Sequence, residues 1–167
     1  MKNFAKLLDE SIKEIEAVGI KRGNNIEFII DNKTKTRWGQ TCRKGNGFCI
    51  SISSELLSDE VPDRACKETI IHEILHTVDL CYNHGKEWKR NAQIMNQTYG
   101  YNIKRVDSTL DKGFSEKAIK MMYSNFKYCF VCSKCGVFIG RQRTSAFVKN
   151  PEIYFHSSCG GSFKRVK

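Results

Sequence analysis

Two groups of side chains in this 167-residue chain have types and spacings suited to holding metal ions. The first is His72-Glu73-Ile74-Leu75-His76, an H-E-x-x-H pattern. Residues four apart on a helix share a face, so both imidazoles can reach one ion, and the glutamate beside the first can point at a water on that ion as general base. A hydrolytic zinc takes three protein ligands and leaves one position open. His84 is the next histidine, with Gly85 behind it to relax the backbone and turn the ring inward; Glu87 is a rival third ligand. Asp79, one turn after His76, is placed either to orient a ligand ring or to stand solvated. The open site would accept Zn, Mn or Fe, since geometry and availability decide.

The second group is Cys132-Ser-Lys-Cys135 with His156-Ser-Ser-Cys159. Two such knuckles give a closed tetrahedral S/N set, the arrangement of a structural zinc. Gly136 and Gly160 follow the two halves and permit the tight turns that aim amides at thiolates. Cys129 also stands at knuckle spacing from Cys132, but Ser133 rather than glycine follows that pair. The four histidines are thereby all assigned, three to the first group and one to the second. Cys42, Cys49, Cys66, Cys81 and Cys129 remain as ordinary thiols. Three cysteines within residues 129–135, in a chain whose N-terminus lacks the apolar stretch of an export signal, indicate metal in a reducing cytosol rather than a disulfide framework.

Positioning these residues requires a particular series of elements. Apolar side chains at Phe4, Leu7, Leu8, Ile12, Ile15 and Val18 repeat with helical period, predicting an amphipathic helix over 3–18 that Gly19 ends. Ile26–Ile30 reads as a strand. Thr36–Gly39 and Phe48–Ser53 read as two more, joined through Gly45-Asn46-Gly47. Ser53 and Ser54 can cap a helical turn at Glu55–Leu57. The H-E-x-x-H helix should start after Pro62 and run to Leu80 or Cys81, burying Ile70, Ile71, Ile74, Leu75 and Val78 on its other face. A further helix is expected from Gly85 to Tyr99, stopped by Gly100. Asn102–Gly113 shows no periodicity, Ser115–Asn125 reads as a short helix, and short strands surround the cysteines beyond. The expected class is α+β, with helices on a small antiparallel sheet and a small metal-stapled module after it. The expected domains are 1–110 and 127–167, with 111–126 as linker.

Apolar residues make up 40% of the chain, enough for a packed core and too many for disorder. No stretch approaches the length of a membrane span. The net charge of +10 is unevenly held, since residues 1–100 carry 15 Lys/Arg against 14 Asp/Glu and the remainder 13 against 4. A nearly neutral body with a basic C-terminal third indicates an anionic partner, most commonly nucleic acid. Arg141, Arg143, Lys149, Lys164 and Arg165, interleaved with Phe138 and Phe147, suit phosphate contact and base stacking, although the same aromatics could equally pack on the module.

At HEILHTVDLCYNHGKEW the chain resembles the SprT-like metallopeptidases, whose pattern is HExxH, a short spacer and then HGxxW or HGxxF. Asn96 and Tyr99-Gly100-Tyr101 after it, and Arg37-Trp38-Gly39-Gln40-Thr41-Cys42 with Ile50–Ser53 and Leu56 before it, extend the likeness from about residue 36 onward. The resemblance implies a minimal zincin-like metallopeptidase domain with His72, His76 and His84 as ligands and Glu73 as catalytic base. It places Arg37 and Trp38 on the strand beside the cleft. It also implies a C-terminal zinc ribbon, in which cysteine usually stands where this chain has His156, and cleavage of DNA–protein crosslinks as in Spartan-type relatives. The resulting expectation is a monomeric, cytoplasmic, bacterial or phage zinc endopeptidase with one catalytic and one structural Zn2+, acting on protein substrates near single- or double-stranded DNA. The alternative is a non-catalytic nucleic-acid-binding zinc protein whose HExxH metal is structural or vestigial. Tyr82, Tyr99 and Arg37 are candidates for stabilising the oxyanion.

Overall fold

The computed structural model describes residues 1–33, 37–105, 123–124 and 126–167. The chain divides into two compact units, Met1–Val106 and Asp107–Lys167. The first is built from helix α1 (Phe4–Ala17), strands β1 (Ile26–Asp31), β2 (Gly39–Lys44) and β3 (Gly47–Ser53), a 3-10 turn (Ser54–Leu57), and helices α2 (Asp63–Leu75) and α3 (Lys86–Tyr99). The α+β class expected from the pattern is the one observed.

Local chemistry sets the ends of these elements. The Asn3 side chain caps α1 by accepting the Lys6 N–H, and Gly19, at φ 77°, turns the chain out of it. Leu7, Ser11 and Ile15 face inward. Ser53 caps the 3-10 turn through the Glu55 N–H, as its spacing predicts. The sheet has the order β1-β3-β2. It is mixed rather than antiparallel, because β1 runs parallel to β3 while β2 pairs antiparallel with it. Consecutive strands joined through Gly45-Asn46-Gly47 form a hairpin, whereas β1 lies on the other side of β3 and runs in the same direction. β2 begins at Gly39, so Arg37 and Trp38 stand just before the strand and not on it. Trp38 is tied to its neighbour through the Ser53 N–H, which its carbonyl accepts at 2.9 Å. Thr36 lies outside the described residues.

Helix α2 lies at the centre of this unit. Ile70, Ile71, Ile74 and Leu75 are fully buried, together with Ile50 and Ile52 of β3, Leu56, Leu57, and Trp88 and Met95 of α3. Lys67 is clamped by Glu14 and Glu10 of α1, and the Tyr101 hydroxyl donates to the same Glu14 carboxylate at 2.7 Å. These contacts brace α1 and the end of α3 against α2.

The described part of the second unit contains β4 (Tyr128–Cys132), β5 (Phe138–Arg141), the single helical turn α4 (Ala146–Lys149), a 3-10 turn (Pro151–Ile153) and β6 (Phe163–Arg165). Its sheet is antiparallel with the order β5-β4-β6. Among its described residues, Phe130, Cys132, Val148 and Phe163 form a small buried cluster, and Phe126 and Cys129 are buried as well. The short helix expected at Ser115–Asn125 falls, apart from Tyr123 and Ser124, outside the described residues. Among those residues no helix is long and apolar enough to cross a membrane.

Candidate functional site

Helix α2 stops earlier than its apolar pattern predicts, with His76 as its C-cap rather than Leu80 or Cys81 as its end. The cause is local. Thr77 and Val78 donate to carbonyls three residues back, the Thr77 hydroxyl bonds the Ile74 carbonyl at 2.7 Å, and Leu80 adopts φ 63°. A left-handed leucine, 85% exposed, reverses the chain and brings the next segment back over the helix end. That reversal returns His84 to His72 and His76.

The three Nε2 atoms form a nearly equilateral triangle, with 3.3 Å between His72 and His76, 3.1 Å between His76 and His84, and 3.0 Å between His84 and His72. Tetrahedral bonds of 2.0–2.1 Å from zinc to nitrogen imply edges of about 3.3 Å. A neutral imidazole has one N–H. His76 Nδ1 lies 3.0 Å from the Cys81 carbonyl, which accepts that proton, so Nε2 presents its lone pair to the triangle. A cation satisfies three such converging lone pairs at once. Trp88, 1% exposed, packs on all three rings with centroids at 4.8, 5.6 and 4.6 Å and holds their orientation.

The Cys81 carbonyl therefore orients His76, and Asp79 is exposed. Glu87 pairs with Arg90 at 3.6 Å and stands outside the histidine group. The orienting carbonyl carries no signal in sequence, because any residue type supplies one. Tyr99 is engaged elsewhere, its hydroxyl donating to the Glu14 carbonyl at 3.2 Å. Tyr82, half exposed, stacks under Arg43 of β2 at 5.2 Å, and Arg37 is exposed.

Burial, and then His76, Arg105 and Lys89, hold the His84 imidazole down at about 4. Burial also lowers His76, against the pull of the Cys81 carbonyl. Both rings are thus neutral near neutral pH, as ligands to a cation would have to be. An unfolded histidine protonates near pH 6.5. The metal-free protein should therefore be fully stable above about pH 6.5 and lose stability as pH falls from there through about 4. Melting curves of chelated protein across that range check this; an unchanged melting temperature would contradict it.

Glu73 projects from α2 toward β2 and is 7% exposed. Its Oε2 accepts the Thr41 hydroxyl at 2.8 Å.

In the second unit the sequence-predicted ligands also converge. Cys132 Sγ lies 3.5 Å from Cys159 Sγ, and His156 Nδ1 lies 3.1 Å from Cys135 Sγ and 3.2 Å from Cys159 Sγ. Gly136 and Gly160 take φ 67° and 65°, the left-handed turns their positions demand. A Cβ on Gly161 would stand 2.5 Å from Cys132 Sγ, so only glycine lets the second knuckle close on the first. Burial pushes the Cys132 thiol up, but the backbone N–H groups of Cys135 and Lys134 together with the neighbouring Cys159 and Cys135 thiols bring it down to about 7. The sulfur is thus cradled as a thiolate ligand should be. Cys129 is buried and points its Sγ to the Tyr123 carbonyl at 3.5 Å, outside the group.

Arg141, Arg143, Lys149, Lys164 and Arg165 are all exposed. Arg141 lies over Phe147 at 5.6 Å and Arg165 over Tyr128 at 5.0 Å. Of the aromatics named from sequence, Phe147 packs edge-on against Phe130 and Phe163 of the core, at 4.7 and 5.3 Å. Tyr154 and Phe155, on the segment entering the second knuckle, are exposed, and no spacing in the sequence marks them.

Both metal groups thus have donor sets and spacings suited to a cation. Comparison with curated proteins finds no match. The model of the SprT-like family, however, matches residues 3–109, which span α1, the mixed sheet and the histidine triangle. With that match over most of the chain, and the HExxH…HG residues gathered at one point, the chain belongs to the SprT-like family.

Proposed function

We propose that this protein is a zinc-dependent endopeptidase that acts on proteins associated with DNA. The observation that carries the reading is the triangle of three Nε2 atoms built on the helix that also carries Glu73. His72, His76 and His84 would hold the catalytic zinc, and Cys132, Cys135, His156 and Cys159 a structural one. When bound at the triangle, zinc supplies Lewis acidity to a water and to the scissile carbonyl. Glu73 accepts the proton of the attacking water on its carboxylate and returns it to the leaving amine. The Cys81 carbonyl keeps His76 in the tautomer that donates through Nε2, and Trp88 shields the rings from solvent.

The ribbon unit would supply contact with DNA through the exposed Arg141, Arg143, Lys149, Lys164 and Arg165. This reading also places the enzyme in the cytoplasm, as a monomer. Cleavage of a protein substrate by the zinc-loaded chain should rise when single-stranded DNA is added. Lys164→Ala with Arg165→Ala should weaken DNA binding and reduce its salt slope by about one for each phosphate that is no longer neutralised. DNA binding without cleavage of any protein, with or without DNA, would favour a non-catalytic nucleic-acid-binding protein instead.

A further inference from the structure

One polar contact beside the histidine triangle has no part in the mechanism above, the bond from the sheet edge to Glu73. Thr41 lies on β2, with its Oγ1 2.8 Å from Glu73 Oε2 and 2.9 Å from the Glu73 backbone carbonyl. A hydroxyl has one proton to donate. The backbone carbonyl already accepts the His76 N–H at 3.2 Å, and a carboxylate oxygen is a stronger acceptor than a peptide carbonyl. The proton therefore belongs on Oε2. Gly39 lies two residues earlier, on the same face of the strand. A Cβ there would come within 2.7 Å of Glu73 Cγ and 2.8 Å of Oε1. β2 thus presents a hollow at 39 and a donor at 41, and the Glu73 carboxyl fills the one and meets the other.

We infer that Thr41 is a positioning residue for Glu73, fixing the carboxylate's orientation beside the histidine triangle from a seat that Gly39 leaves open. The inference rests on the reading of Glu73 as the proton acceptor. The α2 backbone fixes only where the Glu73 side chain starts. A carboxylate on two methylenes samples several rotamers, and one bond from a strand selects among them.

The test compares zinc-loaded wild type with Thr41→Val, which keeps the shape and removes the donor, and Thr41→Ser, which restores it. Thr41→Val should lower kcat by about 10–100-fold, with KM, zinc content and melting temperature little changed. Thr41→Ser should recover kcat to within about threefold of wild type, and Thr41→Val should add nothing to Glu73→Gln. Wild-type kcat in Thr41→Val, or Thr41→Ser as impaired as Thr41→Val, would overturn the inference. The Glu73 carboxyl carbon signal in NMR reads the seat independently of activity. It should shift in Thr41→Val and return in Thr41→Ser. If the wild type cleaves nothing and the signal still follows the hydroxyl, the peptidase reading fails and the seat stands; a signal indifferent to residue 41 overturns the seat itself.

Discussion

Glu73→Gln is expected to keep both metal ions and the fold while losing peptide cleavage by a factor of about 10²–10⁴. Glutamine has the shape of glutamate and still offers an oxygen to the Thr41 hydroxyl, so packing against β2 survives. It cannot take a proton from water near neutral pH. The residue is buried, with its carboxylate against Thr41 of β2. Single-turnover cleavage with metal content measured on the same sample separates a lost base from a lost ion. Cleavage at the wild-type rate by a fully loaded Glu73→Gln protein would mean that another group accepts the proton.

A second large effect is expected in the ribbon. Chelation, or Cys135→Ser, should unfold residues 126–167 while the first unit stays folded. The buried cluster among the described residues holds Phe130, Val148 and Phe163 around Cys132, and a module of some forty residues is below the size at which an apolar core usually suffices. Structural zinc in such modules contributes on the order of 10–16 kcal/mol, which becomes folding free energy. The first unit has a separate core around Ile70, Ile71, Ile74 and Trp88. Amide exchange resolved by residue is the measurement. Protection that disappears from Phe130 and Val131 but persists at Ile70 and Ile71 is the expected pattern; equal loss in both units would contradict separate stabilisation.

The site is legible in sequence wherever chemistry demands a residue type at a fixed spacing. His72 and His76 declare a shared helix face, and glycines after Cys135 and Cys159 declare left-handed turns. The third histidine is also readable as the next one in the chain, but the reversal that returns it is made at Leu80, while Gly85 takes an ordinary φ of −72° as the N-cap of α3. Contacts made by backbone atoms are not readable. The carbonyl of Cys81 orients His76, and nothing about a cysteine side chain foretells it. The end of α2 departs from its pattern for a related reason, since Val78 and Leu80 continue the apolar repeat while Thr77 and the left-handed Leu80 break the helix. Strand direction is hidden as well. Residues Ile26–Ile30 are rich in β-forming types, as a strand should be, but whether β1 joins β3 parallel or antiparallel depends on the path between them. The role of Thr41 needs coordinates, because a threonine in a strand is ordinary until a carboxylate from a neighbouring helix is found against it.

Zinc content and proteolysis measured on the same preparations decide whether His72, His76 and His84 hold a zinc ion used in peptide hydrolysis. The wild type should carry two zinc ions per chain and cleave protein substrate in the presence of single-stranded DNA. His76→Ala should carry one, retained by the ribbon, and cleave nothing. A His76→Ala protein that still binds two zinc ions, or that cleaves as the wild type does, would contradict the account.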